Sequence, residues 1–83
     1  MQGLAAPVLS TSGGTDLVWT WSDTDPDFWE VEQSTDGGLT WSNVAEWSGA
    51  TRTDATEGAG QYRIIGVNAL RDPVTAYSNV ETL

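Results

Sequence analysis

Turn-forming clusters of Gly, Ser, Thr, Asp and Asn recur through this chain roughly every eight to twelve residues, and no segment between them carries a helical period. That spacing leaves room only for short strands, so the chain reads as a sandwich or barrel. Between the clusters lie β-branched or aromatic runs. The clearest is Phe28-Trp29-Glu30-Val31-Glu32-Gln33, where period two sends Trp29 and Val31 one way and Phe28, Glu30 and Glu32 the other. Two glutamates on one face demand water, so Trp29 and Val31 are assigned to the core and Phe28 to the wet face. Asp36-Gly37-Gly38 then marks a tight turn.

The other runs follow the same logic. Pro7 to Ser10 reads as a first edge strand, since proline is tolerated at strand starts and edges. Leu17 to Ser22 puts Leu17, Trp19 and Trp21 on one face. Leu39 to Trp47 holds a returning strand with Trp41 and Val44 as its expected buried residues, and Ala50 to Ala55 is a weak strand. Gln61 to Ala69 is apolar on both faces, which places it centrally in a sheet. Ala76 to Leu83 closes the domain. Seven antiparallel strands result, with Trp19, Trp21, Trp29, Val31, Trp41, Tyr62 and Ile64 as the expected core. Residues 7–83 form one domain, and residues 1–6 read as an N-terminal extension or cloning scar. No internal repeat or low-complexity linker is evident.

Composition narrows function. At 83 residues the chain buries only about 60–65% of its unfolded surface, so it depends on dense packing, which five tryptophans can supply. Twelve acidic residues against three arginines give a formal charge of −9, which argues against nucleic acid and anionic membranes. No apolar run approaches the roughly 18 residues of a membrane-spanning helix. With no lysine, histidine or cysteine, the usual nucleophile–base pairs are missing, and no catalytic residue and no cofactor is assigned.

In this order and spacing the residues resemble a fibronectin type III domain, from Pro7 to about Thr82. Pro7 stands at the family's opening proline and Trp21 at its second-strand core tryptophan. Trp29 and Val31 match its aromatic-x-Val pattern. Tyr62-Arg63-Ile64-Ile65-Gly66-Val67-Asn68-Ala69 echoes its Tyr-Arg-Val-x-Ala-Val-Asn strand, and Ser78 and Val80 fit its last strand. The resemblance implies an all-β, seven-stranded antiparallel immunoglobulin-like β-sandwich. It also implies a corner in which the Tyr62 hydroxyl bonds back to the chain before it. One position departs: Thr56 stands where the family has a leucine. A second resemblance overlaps the first. Ser34-Thr35-Asp36-Gly37-Gly38-Leu39-Thr40-Trp41 is similar to the Asp-box of sialidase-like propeller blades, a rigid hairpin turn away from the catalytic centre there.

Three constellations are weighed for chemistry. Asp23, Asp25 and Asp27 alternate as calcium ligands do, but Phe28 and Ser34 occupy the places where an EF-hand needs glycine and glutamate, so a solvated loop is the better reading. Glu30 and Glu32 lie about 6.5–7 Å apart by strand geometry, yet as exposed groups they read as a solubilising face rather than an acid–base pair. Trp47 has no evident inward partner, and with Phe28 or Tyr77 it is the expected binding site, for sugar rings or a protein.

The resulting expectation is a non-catalytic interaction or spacer module, extracellular or on a virion surface. Its partners would be proteins or neighbouring domains, with polysaccharide also in play, and neither nucleic acid nor membrane insertion. A phage tail or capsid-decoration domain is favoured. The alternative is an accessory fibronectin type III module of a secreted bacterial polysaccharide-degrading enzyme. Both settings come from the resemblance, since fold alone does not give function.

Overall fold

The computed structural model describes residues 3–55 and 58–83. Seven strands are present among them: β1 (Val8–Ser12), β2 (Asp16–Thr20), β3 (Phe28–Ser34), β4 (Ser42–Ser48), β5 (Thr53–Ala55), β6 (Gln61–Val67) and β7 (Glu81–Thr82). They form a three-stranded sheet in the order β1-β2-β5 and a four-stranded sheet in the order β4-β3-β6-β7, with every strand pairing antiparallel. The molecule is an all-β sandwich of the immunoglobulin type, measuring 30 × 25 × 17 Å.

Side-chain parity builds the core. Leu9, Leu17 and Trp19 come from one sheet, and Trp29, Val31, Tyr62 and Ile64 come from the other. All seven are at most 2% exposed. Trp19 meets Trp29 edge-on at 6.4 Å between ring centroids, a geometry that sets a positive ring edge on a negative face. Trp21 lies just past the end of β2, so it is half-buried and seals the core's rim, its ring 4.9 Å from that of Trp29. Trp41 likewise lies outside the main cluster, half-buried just before β4. The Tyr62 hydroxyl donates to the Gly58 carbonyl at 3.1 Å, which ties β6 to the corner before it. Thr56, the departing position, lies outside the described residues.

Three expected strands are corrected. In β4, Val31 faces Ala45 while Glu32 faces Asn43, so Val44 is the extra residue of a bulge. Ala45, not Val44, packs on the core, and Val44 is 48% exposed. The weak strand after Gly49 is trimmed to β5 because the chain first turns, with the Thr51 amide bonded to the Ser48 carbonyl. The last strand is only two residues long because side chains take over part of its ladder, while the Ser78 and Val74 amides still donate to the Ile64 and Gly66 carbonyls, both at 2.9 Å. The Ser78 hydroxyl accepts the Ile64 amide, and the Thr75 hydroxyl accepts the Gly66 amide, both at 2.9 Å. The central placement of β6 agrees with its two apolar faces. Tyr62 and Ile64 point inward, while Ile65 and Val67 are buried on the outer side.

Candidate functional site

The sequence groups Trp47 with Phe28 or Tyr77, but the sandwich puts them on different sides. Trp47 is in register with Trp29, so it shares the inward parity of that residue. Being on an edge strand, it remains 38% exposed. Its indole faces the Asp54 carboxyl on β5 and favours the charged form of that group. Phe28 has the opposite parity, and Tyr77 lies on the same outer side, against Arg63 and Glu32.

What the fold assembles instead is a connected outer face on the four-stranded sheet. Glu32 and Arg63 are cross-strand partners, and the Arg63 Nε donates to Glu32 Oε1 at 2.8 Å. The Tyr77 hydroxyl donates to the other Glu32 oxygen at 3.1 Å. The Arg63 guanidinium also lies 3.8 Å from the Tyr77 ring centroid and 4.2 Å from that of Trp41. It is therefore held by two rings and a carboxylate at once. Beside it, Arg71 forks onto both Glu46 oxygens at 2.8 and 2.9 Å, and stands 4.1 Å over the Phe28 ring. A bidentate guanidinium–carboxylate pair fixes orientation as well as charge.

Local sequence explains how Trp41 reaches this face. The Asp36 carboxylate accepts the Ser34 and Thr40 hydroxyls and the Thr40 amide, while the Ser34 hydroxyl accepts the Gly38 amide at 2.8 Å. These bonds from Thr40, with Ser34 adding, hold the Asp36 carboxyl down at about 2. Gly37 and Gly38 take φ of 76° and 92°, which a Cβ would strain. The closed turn delivers the Trp41 indole to the Gly38 carbonyl at 3.2 Å and its ring to Arg63.

The two strand glutamates are half-buried rather than exposed, with Glu32 lying against Arg63 and Tyr77. Burial raises the Glu30 carboxyl above its ordinary value, Glu46 adds to the rise, and Arg71 opposes it. With Glu32 committed to Arg63 and Tyr77, the pair has no free second carboxylate for acid–base chemistry. Burial also raises the Tyr77 hydroxyl, with Glu32 adding to it.

The acidic loop splits up too. Asp23 accepts the Ala5 amide, Asp25 the Trp21 indole at 2.8 Å, and Asp27 the Ala69 amide at 2.9 Å. Among the described residues, no group of three or more His, Cys, Asp or Glu side chains is placed to hold a metal ion. A shallow groove of about 280 Å³ runs beside this loop, lined by Leu4, Pro26, Val74, Asp25, Asp27 and Asn68 among others.

One buried carboxyl was not foreseen. Asp54 is 5% exposed, and its Oδ2 has no hydrogen-bond partner among the described residues. Burial raises it above its ordinary value of 3.8, the Trp47 indole opposes the rise, and Asp16 adds to it. The folded chain thus holds this proton more tightly than the unfolded chain. Its stabilising contribution is fully present below the ordinary carboxylate value and is lost as pH rises through the folded one. Asp54→Asn keeps a side-chain oxygen facing Trp47 and removes the charge. It is expected to raise the Tm at neutral pH and to flatten the rise in Tm toward mild acid, as read by calorimetry. A variant whose profile runs parallel to the wild type would place the pH dependence elsewhere.

No protein-family model and no curated protein matches the chain. Solved structures do match. Pectate lyase PelI from Erwinia chrysanthemi, in complex with tetragalacturonic acid, overlays 93% of the chain with a TM-score of 0.68 and 22% identity. Pectate lyase Pel3 from Pectobacterium carotovorum does so at 0.65 and 18% identity, again over 93%. The chain spans only about a quarter of those proteins, 26% and 25%. The FN3 domain of human collagen XX matches over 100% of this chain and 95% of its own length, at a TM-score of 0.58 and 15% identity. At such identities the likeness is one of fold, and the fold of this chain is a fibronectin type III-like β-sandwich.

Proposed function

We propose that this domain is a non-catalytic accessory module that spaces or docks the parts of an extracellular polysaccharide-degrading enzyme. One observation carries the reading: pectate lyases overlay nearly the whole chain while it accounts for a quarter of their length, leaving the remainder for other work. The geometry supports it. Leu4 bridges to Thr75 near the far end of β6, whereas Leu83 pairs with Gly60 just before that strand's start. Leu4 and Leu83 therefore lie near opposite ends of β6, about 20 Å apart by the rise of a seven-residue strand. The Ser34–Trp41 turn, which matches the Asp-box in sequence, serves in this reading as rigid scaffold.

The partner is a neighbouring protein domain rather than the acidic polymer itself. A charge of −9 repels a polyuronate, and Arg63 and Arg71 are already neutralised by Glu32 and Glu46. The test is incubation of the isolated domain with polygalacturonate and with neutral polysaccharides, followed for cleavage products and for retardation in affinity gels. Neither is expected. Turnover that survives repurification and disappears in Glu32→Gln would overturn the non-catalytic reading. A virion-surface role remains the second reading, favoured by the acidic, lysine-free composition. The two part on partner. Co-elution in size exclusion with a lyase catalytic domain supports the first, and co-elution with a capsid or tail subunit supports the second.

A further inference from the structure

The outer face of the four-stranded sheet carries an unbalanced charge at its middle. Its two arginines are consumed internally, Arg63 by Glu32 and Arg71 by Glu46. Glu30 is the third carboxylate of that face, and it makes no ion pair among the described residues. It stands directly opposite Glu46 across the β3–β4 ladder, and like charges so placed repel. On its other side it faces Ile65, which is 6% exposed. An added cation above Glu30 would relieve both the repulsion and the cost of part-burying a carboxylate.

The surroundings suit a protein partner. Phe28, Trp41 and Tyr77 each stack against a guanidinium that a carboxylate also holds. Side chains locked in this way lose little further rotamer freedom on binding. Aromatic residues and arginine are also the types enriched in protein interfaces. A cation is something a protein surface supplies, and a neutral or acidic glycan does not.

We propose that this outer face is a preformed docking surface for a protein partner that presents a lysine or arginine to Glu30. The proposal rests on the docking-module reading above and names its surface. As a probe, a capped peptide of alternating lysine and tyrosine stands in for the basic surface, with a glutamine-for-lysine version as control. Neutral galactan and polygalacturonate oligosaccharides form separate arms. Amide shifts are mapped by NMR on the ¹⁵N-labelled domain.

The lysine peptide is expected to shift the amides of Phe28, Glu30, Arg63, Ile65 and Tyr77, and the glutamine peptide is not. Glu30→Gln, which keeps the side chain's shape, is expected to weaken binding about fivefold or more, whereas Asp23→Asn, with the same change in charge, stays within about twofold. Equal loss in both variants, or shifts centred on residues 23–27, would mean diffuse attraction to an acidic protein and overturn the site. Shifts at Trp41 and Tyr77 with an oligosaccharide would overturn it in favour of a glycan. None of these outcomes depends on the turnover assay, so failure of the site and catalysis by the domain are separable.

Discussion

Trp29→Ala is expected to cost about 3–5 kcal/mol, measured by chemical denaturation followed by circular dichroism. A domain of 83 residues has roughly 4–12 kcal/mol in total, so the variant should be largely unfolded or should melt at least ~12 °C lower. The size of the effect follows from where Trp29 sits. It lies on β3, between β4 and β6, with no exposed surface, and it touches both Trp19 and Trp21. Its indole also donates to the Gly49 carbonyl at 2.9 Å in a buried bond. Truncation therefore opens a cavity and strands an acceptor.

A paired experiment separates those two effects. The Trp19 ring is equally buried, but its Nε1 has no hydrogen-bond partner among the described residues. Trp19→Phe discards a donor that was already unsatisfied, whereas Trp29→Phe leaves the Gly49 carbonyl without its partner. Trp29→Phe should be the costlier change by about 1 kcal/mol, the net worth of one such bond. Equal losses would show that volume alone decides both sites.

Gly49→Ala should be nearly as damaging. A Cβ there would stand 1.6 Å from the Pro26 carbonyl oxygen and 2.7 Å from its carbon. Both are backbone atoms, so no rotamer change relieves the clash. The Gly49 amide also donates to the Asp27 carbonyl at 3.1 Å, and separating the two loops breaks that bond. The expected loss is at or above the upper end of the ~1–3 kcal/mol range for overpacking, and Tm falls by ~10 °C or more. Thermal unfolding measures it directly. Because Gly49 also accepts the Trp29 indole, Gly49→Ala and Trp29→Phe should be non-additive, the double variant losing less than the sum. A Tm within a few degrees of wild type would mean that the loops carrying Pro26 and Gly49 separate at little cost.

Much of the fold was legible because alternation along a strand is a local property. Trp29 and Val31 point inward for the same reason that Glu30 and Glu32 point out, and nothing distant alters that parity. Tyr62 and Ile64 followed by the same rule. The misreadings arose where pairing overrides local pattern. Val44 is apolar and was expected inside, yet the bulge shifts the register and leaves Ala45 to face Val31. The closing strand has strand-like composition, but beside Thr75 and Ser78 the β6 amides bond to side-chain oxygens while only the β6 carbonyls keep backbone partners, so no regular ladder forms there.

The candidate site was less legible still. Parity alone places Phe28, Glu30 and Glu32 on one outer face, and the chain by itself determined that much, together with the acidic balance and the lack of conventional catalytic groups. Its neighbours there were decided by tertiary structure. Arg63 meets Glu32 only through the β3–β6 register, and Arg71 reaches Glu46 from a turn 25 residues along the chain. Tyr77 approaches Glu32 from 45 residues away. Trp47, read as a free aromatic, instead faces Asp54 across the sandwich, from the edge strand of one sheet to the edge strand of the other. Which way a side chain points is set within a few residues, but what it meets depends on register and loop closure, and those belong to the folded chain as a whole.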